Sequence, residues 1–521
     1  MTIITNLLFY REKMSSGKTL RAMKNALIQG TSQIITWGLT WALLIVLPKE
    51  LGDANFGRYF FAISYCTMFG TLMNLGINTW LAREIAIETP DHADLSEKHQ
   101  LLKKITGNVY SIKLILTVST FIAQSLILWT VGKDTIAIQA SIIIGISFIF
   151  DNMTFTASSV LQGLERMFYI NIASITSKAI VTVGAIYLLL TGHDLLSVCW
   201  VHVAASVASM IIIFSVLNRT IPISLGWNKP WMKRIIHGGL PFLIWTIFSE
   251  IYLRVDVIML KGMTSDSIVG WYGAGFRLYN AFMFLPHIFN TVFFPPMTRV
   301  ANDPEKQDVF KMNVHRLLNL MLFVATPISI VLFVLAKPAL QLLYGDSPYL
   351  NAAPCLQLFA ISLFLTCIDV LLATILVTKN KEKQWSYMAI IAAMFNPAMN
   401  AWMIPWTQNA YGNGGIGAAL ATVITEILMM IGAICLLPKG ILSFKSTLPN
   451  IGKALLAGAA MAATVYYVPD FINLSNIKVE QFFNLAIRAT SGGIVFLICV
   501  YIFRFPPKED IAHILDAIKK R

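Results

Sequence analysis

The stretch Asp53-Ala-Asn-Phe-Gly57-Arg-Tyr59 recurs 213 positions later as Asp266-Ser-Ile-Val-Gly270-Trp-Tyr272. Each copy follows one long apolar run and opens the next, which is the position of a tight turn in a hydrophobic hairpin. Only three of the seven positions are identical. The repeat therefore indicates a duplication only if the rest of the chain is also organised as two matching halves. Duplicated halves in a membrane protein are typical of transporters whose path lies between the halves.

The composition of the 521-residue chain is that of a polytopic membrane protein. Apolar residues make up 56% of the chain and charged residues only 13%, whereas soluble domains carry about 25% charge. Apolar runs of about 20 residues predict helices that cross a bilayer. We therefore expect an all-α polytopic membrane protein and exclude a soluble α/β enzyme. About fourteen transmembrane helices are predicted, near residues 25–48, 57–80, 105–131, 135–160, 169–191, 195–217, 237–262, 268–293, 314–337, 350–378, 385–405, 413–436, 452–468 and 482–504.

The net charge of +13 reflects topology rather than binding to nucleic acid. With residues in the first or last two positions of a helix counted with the adjoining loop, the N-terminus and alternate loops hold 28 of the 40 Lys and Arg residues, the opposite loops hold six, and the helices hold the remaining six. An excess of basic residues marks the cytoplasmic side of a membrane protein. Both termini are therefore predicted to be cytoplasmic, and no nucleic acid is expected as a partner.

The predicted helices group as six, six and two, which indicates two matching lobes. A second pair of similar turns supports the duplication, because Glu165-Arg166-Met-Phe168 and Glu382-Lys383-Gln-Trp385 lie 217 positions apart. An even number of helices in each half predicts that both halves have the same orientation in the membrane. The predicted organisation is a cytoplasmic N-terminal segment (1–24), an N-terminal lobe (25–217), a cytoplasmic linker (218–236), a C-terminal lobe (237–436), two further helices (452–504) and a cytoplasmic tail (505–521).

Basic side chains inside the predicted helices are the first candidate site residues, because ionisable groups in a bilayer are costly and usually face a polar interior. Arg254 and Arg277 lie eight and nine residues from the outer ends of adjacent helices, at a depth of about 12–14 Å. A planar guanidinium is suited to binding phosphate. Lys113 and Lys178 would extend this cationic lining into the first half. A structural network of ion pairs between helices is the alternative interpretation of the same residues.

Acidic side chains inside the predicted helices form a second set of candidates. They are Asp256, Glu250, Asp151, Asp369 and Glu426. Glu250 precedes Arg254 by four residues, which allows an ion pair on one helical face, whereas Asp256 is expected to face another helix. Each of the five can be an ion-coupling carboxylate or a counter-ion to a basic group. No catalytic residue, metal or cofactor is expected, apart from coupling to H+ or Na+.

Short motifs at the predicted turns and in the seventh and eighth helices carry a family resemblance. They are Leu51-Gly-Asp53-Ala-Asn-Phe-Gly57-Arg-Tyr59, Asn74-Leu-Gly76-Ile-Asn78, Ala82-Arg83-Glu84, Leu240-Pro241-Phe242, Tyr252-Leu-Arg254-Val-Asp256, Val269-Gly-Trp-Tyr272, Phe276-Arg277-Leu and Phe294-Pro295. The set resembles polysaccharide and O-antigen flippases of the multidrug/oligosaccharidyl-lipid/polysaccharide exporter superfamily. The resemblance implies functional roles for Arg254, Asp256 and Arg277, whereas the other candidates rest on their burial alone.

The same resemblance implies an architecture and a cargo. Two six-helix lobes would face each other in a V, with two additional C-terminal helices, and would work by alternating access around a cationic central cavity. The implied cargo is a polyprenyl-diphosphate-linked oligosaccharide, moved from the cytoplasmic to the outer leaflet of a bacterial inner membrane. Membrane lipids are expected partners, and a polysaccharide polymerase and glycosyltransferases are candidate protein partners.

Two other classes compete with this interpretation. A peptidoglycan-precursor flippase or an ion-coupled drug exporter of the same superfamily shares the expected fold. The two helices beyond twelve and the basic excess near mid-membrane favour the polysaccharide group over the drug exporters. A polytopic polysaccharide polymerase or ligase is the enzymatic alternative, but such an enzyme needs a large outer loop or an Asp-rich metal site, and the sequence contains no Asp-x-Asp. The protein is therefore not expected to be an enzyme.

Overall fold

The computed structural model describes residues 17–88, 95–132, 134–222, 224–442 and 444–507. Within these ranges the chain is helical and has no strand, which confirms the predicted all-α class. Most of the predicted N-terminal segment and C-terminal tail lies outside the described residues.

Six helices form the first half of the described chain. α1 to α6 are Gly17–Asn74, Ile77–Glu88, Leu95–Val131, Thr135–Gly163, Met167–Leu190 and Leu195–Thr220. α1 consists of two helices joined at Gly52, whose φ of 73° lies in the region that favours glycine. This break immediately precedes the first copy of the repeat. Both copies are helical, at 53–59 and 266–272, so the predicted tight turns are wrong at these residues and the chain breaks just before each copy instead.

Ten helices follow in the described second half. α7 to α16 are Lys229–Met263, Asp266–Phe282, Phe284–Ala301, Gln307–Val334, Ala336–Tyr344, Ala353–Thr378, Glu382–Tyr411, Gly414–Leu436, Phe444–Tyr467 and Ile477–Ile502. The break between α8 and α9 has a local cause, because the ring of Pro286 is incompatible with a continuous helix at the carbonyl of Phe282. Pro327 and Pro397 lie inside α10 and α13 without ending them.

Eleven stretches of the described chain are long and apolar enough to cross a membrane. One of them, Ile28–Asn74, contains the break at Gly52 and covers most of two predicted transmembrane helices. α7 and α8 are not among the eleven, and α8 has only 17 residues. The chain is a multi-pass membrane protein, and the total of fourteen crossings stays a prediction.

The chain divides into two compact units. The first contains the chain up to Leu51 together with Phe61–Glu250, and the second contains Gly52–Phe60 together with the chain from Ile251 onward. The nine residues that begin at Gly52 therefore pack with the second unit, although the chain on both sides of them belongs to the first.

Each unit has its own hydrophobic core. In the first unit, Leu81 of α2, Ile105 of α3 and Val160 of α4 are fully buried in one cluster. In the second unit, Met461 of α15 and Phe496 of α16 pack in a cluster with residues of α10. The two C-terminal helices are thus part of the second unit.

Candidate functional site

The buried acidic side chains of the second unit are arranged around α7. Tyr252 and Asp256 lie four residues apart on this helix, so they share one face. The hydroxyl of Tyr252 donates a hydrogen bond to Oε1 of Glu426 at 2.6 Å, and the amide of Asn400 donates to Oδ1 of Asp256 at 2.6 Å. α7 is therefore tied to α13 and α14 through hydrogen bonds to carboxylates.

Asp256 is held by three neutral donors, and its residue is only 4% exposed. Besides Asn400, the hydroxyls of Tyr272 and Thr422 donate to its Oδ2 atom at 2.8 and 2.9 Å. A buried carboxylate is costly unless hydrogen bonds or a cation compensate for the lost hydration. The structure confirms that Asp256 faces other helices, because its donors come from α8, α13 and α14. Its part in ion coupling stays a prediction.

Asp369 of α12 and Glu426 of α14 form a second acidic pair in the same unit. Both residues are buried, and neither carboxyl oxygen of Asp369 has a hydrogen-bond partner among the described residues. The carboxyl of Glu426 accepts from Tyr252, as described above. Two neighbouring buried carboxyl groups repel each other when both are ionised, which favours a proton on one of them. The pair is therefore suited to holding a proton.

The buried carboxyl groups of this region can bind a small cation. Three carboxyl groups are buried there: Asp256 and Glu426 accept from neutral donors, and Asp369 has no hydrogen-bond partner among the described residues. Among the residues that the structure describes, no group of three or more His, Cys, Asp and Glu side chains is placed to hold a metal ion. A proton, or one small cation held by a carboxylate and neutral oxygens, is compatible with this arrangement.

Arg277 of α8 lies against two aromatic rings. Its guanidinium carbon is 4.8 Å from the centre of the Phe56 ring and 5.5 Å from the centre of the Tyr59 ring, which are cation–π distances. Both rings belong to the first copy of the repeated turn and are buried. The predicted contact between Arg277 and a phosphate stays a prediction, and the aromatic partners are an addition from the structure.

The other candidates are half-buried side chains on three helices. Arg254 and Glu250 of α7 and Lys178 of α5 each have an interaction partner in the structure. Asp151 of α4 lies near Ser206 of α6. Whether these groups contact cargo or an ion stays a prediction.

Lys113 of α3 is fully buried in the first unit, inside a cage of neutral oxygens. Its ammonium donates to Oδ1 of Asn152 at 2.5 Å, to the carbonyl of Met73 at 3.2 Å and to Oδ1 of Asn74 at 3.3 Å. The amide of Asn152 also donates to the carbonyl of Met73 at 3.1 Å. Because α1 ends at Asn74, its last carbonyls need donors from outside the helix. Lys113 and Asn152 complete this helix end.

Neutral side chains supply most of these contacts, and the sequence analysis identified none of them as site residues. Asn400, Thr422 and Tyr272 donate hydrogen bonds to Asp256, and Asn152 accepts one from Lys113. The sequence contains one indication of these polar partners, because Asn396 and Asn400 lie four residues apart in an apolar helix. In the structure the amide of Asn400 donates to Oδ1 of Asn396 at 2.9 Å.

Comparison with known proteins identifies relatives of the chain. The sequence matches the family described as polysaccharide biosynthesis protein over residues 22–301. It is 22% identical over 393 residues to a putative O-antigen transporter of Shigella flexneri, which covers 73% of this chain and 89% of that protein. It is 27% identical over 255 residues to the probable flippase AglR of Haloferax volcanii, which covers 47% of this chain and 50% of that protein.

A solved structure shows that the fold is shared. The structure titled lipid II flippase MurJ, inward closed conformation, superposes with a TM-score of 0.69 over 92% of this chain and 99% of that one, at 17% sequence identity.

Proposed function

The chain belongs to the polysaccharide biosynthesis protein family, and we propose that it is a flippase for a polyprenyl-diphosphate-linked oligosaccharide. The cargo would be an O-antigen or another surface polysaccharide repeat unit, moved from the cytoplasmic to the outer leaflet of a bacterial inner membrane. The observation that carries this proposal is the similarity to a putative O-antigen transporter over 89% of that protein's length. The protein acts in this proposal as a transporter, without covalent chemistry.

The proposed topology has fourteen crossings and cytoplasmic termini. The two parts of α1 on either side of Gly52, α7, and α8 together with α9 would cross the membrane in addition to the remaining apolar helices. This count agrees with the distribution of basic residues over alternate loops. Two lobes with the same orientation would then expose the transport path to each side of the membrane in turn.

Cargo binding is assigned to basic side chains inside the membrane. A diphosphate carries its charge into the transport path, and a guanidinium can bind it through two parallel hydrogen bonds. Arg254 and Arg277 are the first candidates because they lie on the family motif, and Lys178 is the candidate from the first half. The ammonium of Lys113 donates its hydrogen bonds to Met73 and Asn74 at the end of α1 and to Asn152. Lys113 could contact cargo only if these hydrogen bonds were broken.

Ion coupling is assigned to the buried acids of the second unit. Two neighbouring buried carboxylates would repel each other if both were ionised, so the pair of Asp369 and Glu426 favours H+ as the coupling ion. Asp256, with its three neutral donors, is the candidate if Na+ is used instead. Glu250 and Asp151 are assigned as counter-ions.

Depletion of the protein in cells tests the proposed function. Cargo made on the cytoplasmic leaflet should accumulate there and stay out of reach of a membrane-impermeant glycosidase added to spheroplasts. In cells with the protein, the glycosidase should cleave the oligosaccharide. Equal cleavage in depleted and normal cells would contradict the proposal.

A further inference from the structure

The backbone of the segment between α6 and α7 is bound to α3. The amide of Gly226 donates a hydrogen bond to the carbonyl of Gly107 at 3.0 Å, and the amide of Asn228 donates to Oδ1 of Asn108 at 2.6 Å. All four residues belong to the first unit. Residues 224–228 of this segment therefore have a fixed path along α3, and we call them the linker strap.

Two glycines allow the linker strap to lie close to α3. A methyl group added to Gly107 would be 3.0 Å from the carbonyl oxygen of Ser224, and one added to Gly226 would be 3.2 Å from the amide nitrogen of Asn108. Favourable contacts of a methyl carbon are longer than this. The contact with α3 is thus made by the backbone of the strap.

The two large apolar side chains of the linker strap are exposed. Leu225 is 69% exposed and Trp227 is 65% exposed, on either side of Gly226. Because Gly226 is hydrogen-bonded to α3, both neighbours are held at a defined place on the surface. Tryptophan is enriched where a membrane protein meets the lipid head groups, since its ring is apolar and its N–H is polar.

The lengths of the adjoining helices place the linker strap at the level of the head groups. Gly107 lies 24 residues before the end of α3 at Val131, and α6 has 26 residues. At 1.5 Å per residue these stretches are about 36 and 39 Å long, whereas the hydrocarbon core of a bilayer is about 30 Å thick. With the predicted topology, the strap therefore lies beside the cytoplasmic head groups.

Four exposed lysines adjoin the linker strap, and we call them the strap lysines. Two lie on α3, one turn before the residues that bind the strap, and two lie at the start of α7: Lys103, Lys104, Lys229 and Lys233. In each helix, residues four positions apart share a face. Lys103 and Lys104 thus lie on the faces of Gly107 and Asn108, at their cytoplasmic side.

The acidic residues at the end of α2 do not neutralise the strap lysines. Glu84 and Glu88 are both paired with Arg234, which also lies over the ring of Trp231 at 4.9 Å. Among the residues that the structure describes, none of the strap lysines forms an ion pair. The surface around Leu225 and Trp227 is therefore apolar at its centre and positively charged at its edge.

We propose that the linker strap and the strap lysines form a binding surface for acidic phospholipids of the cytoplasmic leaflet. Leu225 and Trp227 enter the head-group region, and the lysines contact lipid phosphates; apolar insertion and charge attraction together give firm attachment to a membrane surface. An acidic protein would also match the charge, but the depth of the strap and the exposed indole favour lipid. The proposal rests on the predicted topology and holds for any cargo.

Quenching by spin-labelled lipids tests this surface in reconstituted full-length protein. The six native cysteines are replaced by alanine, and a fluorophore is attached to Leu225→Cys. Vesicles contain head-group-labelled phosphatidylglycerol or phosphatidylcholine at the same mole fraction. We expect both lipids to quench the fluorophore, and the acidic lipid to quench it about twofold more strongly. Replacement of the strap lysines by glutamine should remove the difference between the lipids.

The control variant is Lys337→Gln combined with Lys478→Gln, two exposed lysines in loops of the opposite predicted side. It should keep the preference for the acidic lipid. Equal quenching by the two lipids in the unmodified surface would overturn the proposal. Quenching by neither lipid would overturn it as well and would favour an acidic protein as the partner.

Thermal unfolding of the protein with its natural cysteines is a second measurement. In detergent, added phosphatidylglycerol should raise the unfolding temperature more than phosphatidylcholine does, and Lys229→Gln combined with Lys233→Gln should reduce this difference. The same difference in the unmodified protein and in that variant would contradict a role for these lysines. Neither measurement requires cargo, so a failure of the proposed function leaves both results valid.

Discussion

The ammonium group of Lys113 donates a hydrogen bond to Oδ1 of Asn152 at 2.5 Å, and no part of the lysine is exposed. The remaining hydrogen bonds of the ammonium go to Asn74 and to the carbonyl of Met73 at the end of α1. A basic residue in a membrane helix therefore does not by itself identify a cargo contact. In this case the charge stabilises a helix break within the family motif that begins at Asn74.

Lys113→Met is expected to destabilise the protein. The change removes a donor from the side-chain oxygens of Asn74 and Asn152, and each buried acceptor left unsatisfied costs about 1–3 kcal/mol. Thermal unfolding in detergent is the measurement, and Lys337→Met, at an exposed lysine, is the control. Unchanged thermal stability together with slower transport would instead assign Lys113 to cargo binding.

Thr422→Val is expected to lower stability by about 1 kcal/mol, the usual net value of a hydrogen bond. Combined with Asp256→Ala, it should cost less than the sum of the single changes, because both remove the same interaction. Thr425→Val is the matched control on α14, since the hydroxyl of Thr425 donates to the backbone carbonyl of Ala421. Additive effects for Thr422 and Asp256 would show that their hydrogen bond is not a stabilising contact.

Asp369→Asn and Glu426→Gln are expected to abolish the dependence of transport on a pH gradient. An amide cannot take up the proton that the two carboxyl groups share, so an acidic exterior should accelerate cargo export only in the unmodified protein. Initial rates in vesicles with imposed H+ or Na+ gradients are the measurement, with Asp303→Asn in an exposed loop as the control. Acceleration of the unmodified protein by Na+ and not by H+ would contradict proton coupling and favour Asp256.

Arg254→Gln and Arg277→Gln are each expected to slow transport by about tenfold or more, the equivalent of about 1.4 kcal/mol of lost interaction. Arg488→Gln is the matched control, because Arg488 also lies in an apolar helix but is paired with Asp470 at 2.9 Å. Transport rates at saturating and limiting cargo separate weaker binding from slower movement. Equal rates for the three variants would remove the arginines from the cargo site.

The sequence predicted the helical class and the positions of the helices well, because apolar runs and loop charges follow directly from the physics of a bilayer. The break at Gly52 lies one residue before the predicted turn, whose residues 53–59 are helical. The boundaries of the two compact units were not predicted from the sequence. Residues Gly52–Phe60 pack with the second unit, although the chain on both sides of them packs with the first. Contacts of this kind depend on tertiary packing and leave no periodic signal in a single sequence.

The candidate site was predicted only in part. The sequence identified Asp256 as a side chain that faces another helix, but its donors Asn400 and Thr422 are neutral and do not stand out in an apolar run. The repeat predicts a tight turn at each copy and gives no reason to expect that the two copies touch. Two short segments that lie 213 residues apart meet only in the folded chain, where Gly57 lies against the backbone of Asp266 and Gly270 against that of Asp53.

The most direct test of the central claim is the transfer of a labelled polyprenyl-diphosphate oligosaccharide between the leaflets of vesicles that contain the purified protein. We predict transfer that depends on the protein, that is faster for the glycosylated lipid than for the bare polyprenyl diphosphate, and that is slowed by Arg254→Gln and Arg277→Gln. Transfer at the rate of protein-free vesicles would contradict the account, and equal transfer of the bare and glycosylated lipids would contradict the proposed cargo.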